Sequence, residues 1–186
     1  MEESDEALMT ALAAGDQDAF EQLYSRHKSV IFNYFLRATG SRDLAEDLFQ
    51  DVFLRVFRAA RRYEPREPFR VWLFTLARNL LRDRWRQLKR TPDWDDSEAE
   101  LPDTQPGPEA ILGRQQEADR LRTAVLRLPP ALREVLILSR YHGLSFAEVA
   151  RVVSSSEGAA RVRAFRAMER LREILAEPKS MRLVKS

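Results

Sequence analysis

Arg78, Arg82, Arg86 and Lys89 recur at steps of three to four residues, so on a helix they form one basic stripe. Trp72 and Trp85, with Phe69 and Phe74, interleave aromatic surface with that charge. Guanidinium groups neutralise phosphate and flat rings stack on unpaired bases, a combination that suits a single nucleic-acid strand. Core aromatics beside solvated arginines would show the same spacing, and both readings stay open. Near the other end, Arg161, Val162, Phe165, Arg166 and Glu169 lie opposite a stripe of Ala160, Ala164 and Ala167. Arginines so placed can reach guanine edges or phosphates, and the apolar groups can touch thymine methyls. The bland counterpart is a helical hairpin with a solvated arginine face. A third set, Asp47, Gln50, Asp51 and Leu54, stands at i, i+3, i+4 and i+7. Two carboxylates four apart could serve a metal or acid–base chemistry. No histidine lies near them in sequence and no glycine loop is built to cradle phosphate, so a solvated face or a protein-docking stripe is favoured over catalysis.

The elements that position these residues are helical almost throughout. Phe20, Leu23, Tyr24, His27, Ile31, Tyr34 and Phe35 make one apolar stripe, and Gly15 and Gly40 punctuate its helix at the two ends. Leu44, Leu48, Val52, Val56 and Ala60 continue the spacing in a second helix. Trp72, Leu73, Leu76, Ala77 and Leu80 give a third after the turn at 63–68. Strand-type alternation is absent, so the expected class is all-α. Periodicity stops over 91–109, where four prolines, one glycine and seven acids leave too little apolar surface for a core. That stretch reads as a flexible linker between an N-terminal domain, 1–90, and a C-terminal domain, 110–178, with a frayed tail at 179–186. In the second domain Ser145 and Glu148 form a capping box that opens a short helix. Ala150, Ser154 and Ala160 then stand where a helix-turn-helix needs a small residue, a left-handed turn residue and a buried contact. Serine in the left-handed position costs on the order of 1 kcal/mol.

Composition excludes several function classes. The chain has 186 residues, no cysteine and two histidines. Disulfide scaffolds, thiol catalysis and cysteine or three-histidine zinc sites are therefore out of reach. Neither a metal nor a cofactor is expected. No apolar run is long enough to span a bilayer, and residues 1–6 are acidic where a signal peptide would be basic, so a soluble cytoplasmic protein is expected. The formal charge of +2 conceals an alternation along the chain. Residues 1–60 carry −5, 61–90 carry +7, 91–113 carry −7 and 114–186 carry +7. Such segregation suggests several surfaces for different partners, some of them polyanionic.

Three segments in order resemble an extracytoplasmic-function sigma factor, the small two-domain class of bacterial transcription initiation factor. They are DAFEQLYSRHKSVIFNYFLRATGSRDLAEDLFQDVFLRVFRA, FRVWLFTLARNLLRDRWR and LPPALREVLILSRYHGLSFAEVARVVSSSEGAARVRAFRAMERLREIL. The resemblance implies an all-helical protein whose first domain serves the −10 promoter element and whose second, a helix-turn-helix, serves the −35 element. It implies docking of core RNA polymerase on Asp47, Gln50, Asp51 and Leu54. The turn from Tyr63 to Phe69, including Arg66, resembles the loop that captures a flipped base of the melted non-template strand. Asn79 matches a position used beside that loop, and Arg78, Arg82 and Arg86 would hold the strand's backbone. Arg161, Val162, Arg163, Phe165 and Arg166 match the helix that reads duplex −35 DNA, with Arg163 favouring phosphate. An anti-sigma factor is an expected further partner, and direct membrane insertion is not expected.

Two other functions are weighed against this one. A sigma-like decoy that binds an anti-sigma factor would not need Asn79, Arg161 and Arg166. A free-standing helix-turn-helix regulator would have no use for the 47–51 stripe. Ser154 and the Ala159–Ala160 pair depart from the family's usual residues, so the −35 preference is not copied from relatives. With seven acids and no base, the linker should enter a basic channel by an RNA-like route. Replacing Asp93, Asp95, Asp96, Glu98 and Glu100 by their amides should weaken holoenzyme formation or alter abortive synthesis in a transcription assay. Unchanged values of both would refute that role.

Overall fold

The computed structural model describes residues 3–88 and 112–177, so the linker at 91–109 and the tail at 179–186 lie outside the described residues. Eight α-helices are found there: α1 Asp5–Ala13, α2 Gln17–Thr39, α3 Arg42–Ala59, α4 Phe69–Leu88, α5 Leu112–Leu126, α6 Pro130–Leu136, α7 Phe146–Val152 and α8 Glu157–Ala176. A 3-10 turn at Ala60–Arg62 extends α3, and a π turn at Ile137–Tyr141 extends α6. No strand occurs among the described residues.

Helix α1 lies in a segment to which the apolar periodicity assigned no helix. Leu8, Met9 and Leu12 are buried against α2 and the 3-10 turn. Asp5 ties it down, accepting from Arg26 Nη1 at 3.0 Å while His27 Nε2 lies 2.7 Å from its other oxygen. Helix α2 begins at Asp16, whose carboxylate accepts from the amides of Asp18 and Ala19, and it ends at Gly40 with φ +73°. Helices α2 and α3 form an antiparallel pair, joined face to face by Phe20, Tyr24, Phe49 and Phe53 in edge-on and tilted ring contacts. Helix α4 completes the first domain by burying Phe69, Val71, Leu73, Phe74 and Ala77.

In the second domain α6 and α8 pack together and α7 crosses α8. Ala150 and Ala160 are buried where the helix-turn-helix needs small residues. Its turn is a Schellman motif: Ser155 N donates to Ala150 O at 2.9 Å and Ser154 N to Arg151 O at 3.2 Å. Ser154 has φ +53°, the only non-glycine residue at positive φ among the described residues.

The two domains share one core. Leu126 sits against Gly40, where an added Cβ would come within 2.6 Å of its Cδ1. Arg133 Nη1 donates to Ala38 O at 2.8 Å, across the boundary, and its Nη2 donates to the carbonyls of Leu126 and Leu128. His142 lies between Tyr34 and Phe74, ring centroids 6.0 and 5.1 Å away. Burial first, then the charges of Arg37 and Arg70, lower its pKa to about 4, so the imidazole is neutral in that slot at pH 7. Arg37 in turn lies over the Tyr141 ring at 4.6 Å.

The strained turn gives a direct test. Ser154→Gly relieves a left-handed serine and should stabilise the fold by roughly 1 kcal/mol, a rise of about 2–4 °C in the thermal midpoint. A lower midpoint by calorimetry would show that the serine hydroxyl, rather than its backbone angle, matters there.

Candidate nucleic-acid interface and docking face

Helix α3 carries the docking stripe. At 100° per residue Asp47, Gln50, Asp51 and Leu54 fall on one side, and all four are exposed. Leu54 keeps 45 % of its surface in solvent. Asp47 is not isolated, since Arg84 Nη2 of α4 lies 3.5 Å from its carboxylate.

One turn further along the same helix the surface becomes basic. An open cleft of about 670 Å3 is lined by Arg55, Arg58, Arg62, Tyr63, Arg66 and Trp72, and also by Glu64 and Glu67. The Tyr63 ring meets Trp72 edge-on at 5.1 Å. Burial, followed by the charges of Glu6, Glu67 and Asp5, pushes the Tyr63 hydroxyl up to about 12, so it stays a neutral donor. Arg66 Nε donates to Glu64 Oε2 at 2.7 Å. The turn is held from a distant part of the chain: Glu6 of α1 accepts from the amide of Phe69 at 2.8 Å, capping α4.

Phe69 itself does not belong to this surface. Its side chain is 1 % exposed and packs among His27, Tyr63 and Trp72. Phenylalanine is wholly apolar, and the cap on its amide draws the chain inward here. Phe74 is likewise core, whereas Trp72 and Trp85 are half-buried. The arginine stripe of α4 is split as well. Asn79 and Arg82 are exposed and Arg86 pairs with Asp83, but Arg78 is buried and donates through Nε to Glu134 Oε1 of α6 at 2.7 Å. Lys89 lies outside the described residues. Burial pushes the Glu134 carboxyl up, opposed by Arg78 and then by Arg82 and Arg163.

Sequence reasoning passed over Arg55, Arg58 and Arg62. Their i, i+3, i+7 spacing places them on one side of the end of α3, a signal that was available. No local pattern could have linked Glu6 to Phe69.

On the second domain α8 starts at Ser156, whose hydroxyl accepts from Ala159 N at 3.2 Å. Arg161, Val162, Phe165 and Arg166 are exposed, Phe165 by 62 %. Arg161 donates to Glu157 Oε1 through Nε at 3.2 Å and Nη2 at 2.5 Å, and its guanidinium lies 5.1 Å from the Phe146 ring. Arg163 departs from this face. Two residues before Phe165, it projects about 160° away from that ring round the helix axis. It is half-buried, and its charge helps to oppose the upward shift of the Glu134 carboxyl.

Two helical units, one with a basic aromatic cleft and one with a helix-turn-helix, define a DNA-binding regulator class. Sigma-70 region 2 matches residues 23–91, and Sigma-70, region 4 matches residues 118–171. The RNA polymerase sigma factor CarQ of Myxococcus xanthus is 39 % identical over 165 residues, covering 88 % of this chain and 92 % of CarQ. The ECF RNA polymerase sigma factor SigE of Mycolicibacterium smegmatis is 32 % identical over 191 residues, covering 97 % of this chain and 72 % of SigE. The solved structure of CnrH in complex with the cytosolic domain of CnrY superposes with a TM-score of 0.70 at 29 % identity, covering 93 % of this chain and 97 % of CnrH. The chain belongs to the extracytoplasmic-function sigma factors of bacterial RNA polymerase.

The cleft is testable by salt dependence. Arg62→Ala should weaken binding of a single DNA strand and reduce the salt slope by about 0.7, the share of one strand phosphate contact. An unchanged slope in a fluorescence titration would remove Arg62 from the strand path.

Proposed function

We propose that this sigma factor docks on core RNA polymerase through Asp47, Gln50, Asp51 and Leu54 and presents the neighbouring cleft to the melted −10 strand. The observation that carries this reading is that α3 bears both surfaces, with Leu54 one turn from Arg58 on an exposed side. Docking the stripe therefore fixes the cleft relative to the polymerase. Tyr63 and Trp72 offer ring faces and edges to unstacked bases, while Arg55, Arg58, Arg62, Arg66 and Arg82 neutralise backbone phosphate. Asn79 adds an amide that can read a base edge. Arg161, Val162, Phe165 and Arg166 read the duplex −35 element, and the Glu157 carboxylate and Phe146 ring hold Arg161 ready for it.

Melting draws on binding energy for unpaired bases, so the chain performs no catalysis of its own. It works in the cytoplasm, alongside core polymerase. No helix among the described residues is long and apolar enough to cross a membrane. An anti-sigma protein is the further partner we propose, supported by the complex of CnrH with the cytosolic domain of CnrY.

Run-off transcription on a genomic fragment library with purified core polymerase tests the whole reading. Promoter-specific transcripts are expected. Asp47→Asn with Asp51→Asn should weaken binding to core about tenfold and depress all transcripts together. Arg161→Ala with Arg166→Ala should leave core binding intact and abolish −35-dependent transcripts. Core binding without transcripts would instead mark a decoy, and duplex binding without core a free-standing regulator.

A further inference from the structure

Helix α4 takes its N-terminal cap from another helix. Helices α1, α2, α3 and α8 each open on a serine or aspartate whose side chain accepts from the helix's own first amides. Before α4 stands Pro68, whose carbonyl accepts from Val71 N and Trp72 N but which has no side-chain oxygen. The Phe69 amide donates instead to the half-buried Glu6 carboxylate of α1 at 2.8 Å. The turn before α4 rests on α1 at both ends. At its start, the 3-10 turn at Ala60–Arg62 packs against α1. At its end, Asp5 and Glu6, consecutive on α1, hold the two parts of Phe69. Glu6 takes the amide, and Asp5 lies 2.7 Å from His27 Nε2, whose ring is 5.2 Å from the Phe69 ring. We infer that Glu6 is a positioning residue for base capture: it fixes the turn at 63–69, and with it the Tyr63 and Trp72 rings, in the arrangement that receives an unpaired base. This role rests on the strand reading proposed for the cleft. It adds an element outside the matched Sigma-70 region 2, which begins at residue 23.

A carboxylate beside a strand-binding surface repels phosphate, so on charge alone Glu6 is unfavourable there. At the start of α4 its charge meets the positive end of a 20-residue helix and satisfies an N–H that Pro68 cannot. The turn's own bonds are short in range. Pro65 and Pro68 carry no N–H, Arg66 N donates to Glu64 O at 2.8 Å, and the side chains of the same two residues pair in solvent. The Tyr63 ring meets Phe69 at 6.1 Å and Trp72 at 5.1 Å, so anchoring Phe69 anchors all three rings. A turn already held gives up little freedom when a base docks, whereas a loose one must be ordered at that moment. Glu6 therefore acts on the ring–base part of strand affinity. The phosphate part is left to arginines such as Arg55 and Arg58 of α3.

The test uses the full chain and two fluorescent strands of equal length, oligothymidine and its fully abasic counterpart. They share phosphates and differ in bases, so the ratio of their affinities isolates the base-dependent part. Glu6→Ala should lower that ratio about fivefold, the weight of one helix cap. Abasic binding should stay equal or tighten slightly, because a negative charge is lost, and amide exchange over 63–70 should quicken. Glu6→Gln keeps an acceptor oxygen without the charge and should restore the ratio. Ser41→Ala removes the side-chain cap of α3 in the same domain. It should lower the thermal midpoint about as much as Glu6→Ala does and leave the ratio unchanged. An equal fall of the ratio in Ser41→Ala reduces the effect to stability and overturns the inference. Faster exchange in Glu6→Ala with an unchanged ratio overturns it too, as does tighter binding of both strands by Glu6→Ala and Glu6→Gln alike. Equal binding of the two strands by the unaltered chain is a separate failure, which removes base capture from the cleft and the strand reading with it.

Discussion

An arginine cannot shed its charge at any accessible pH, so each guanidinium must remain in water or find a partner that replaces it. That constraint sorts the surfaces of this protein. Arg82, Arg161 and Arg166 stay exposed and face outward from α4 and α8. Arg78 and Arg133 lie where the domains meet, and each is bound: Arg78 to the Glu134 carboxylate, Arg133 to three main-chain carbonyls. The same helix thus carries one cation left in solvent and one bound at the domain boundary, a division that spacing alone does not reveal.

The apolar side of each helix obeys a matching rule. A short helix has a stripe to bury and too little surface of its own to bury it in, so its stability comes from neighbours. Helix α1 is legible only through that need. Its three buried residues gain meaning from α2, and its Glu6 reaches the amide of Phe69 to shape the turn beside the cleft. The turn at Ser154 is the opposite case. Its left-handed backbone follows from local hydrogen bonds at the end of α7, and the expectation of a left-handed serine at that place is met by φ +53°.

Caps and periodicity act over three or four residues, so they leave their mark in the order of the residues. The capping box of Ser145 and Glu148, the alanine stripe of α8, the exposed set Arg161, Val162, Phe165 and Arg166, and the face formed by Asp47, Gln50, Asp51 and Leu54 were all readable that way. The depth of a side chain is another matter. Phe69 and Arg78 were expected at the strand-facing surface and are buried, because long-range neighbours closed over them. The alternation of charge shows the same limit: it marks which segments are basic, while ion pairs between segments decide which basic groups remain available.

What the sequence by itself determined is the helical class, the two sigma domains, the helix-turn-helix and the exposed arginine set on α8. Each of these depends on interactions between near neighbours in the chain. Only the tertiary structure decided that Arg55, Arg58 and Arg62 share a cleft with Tyr63 and Trp72, and that Glu134 lies against Arg78. Those outcomes join residues up to 56 positions apart, as between Arg78 and Glu134, and follow from which surfaces exclude water when the helices pack.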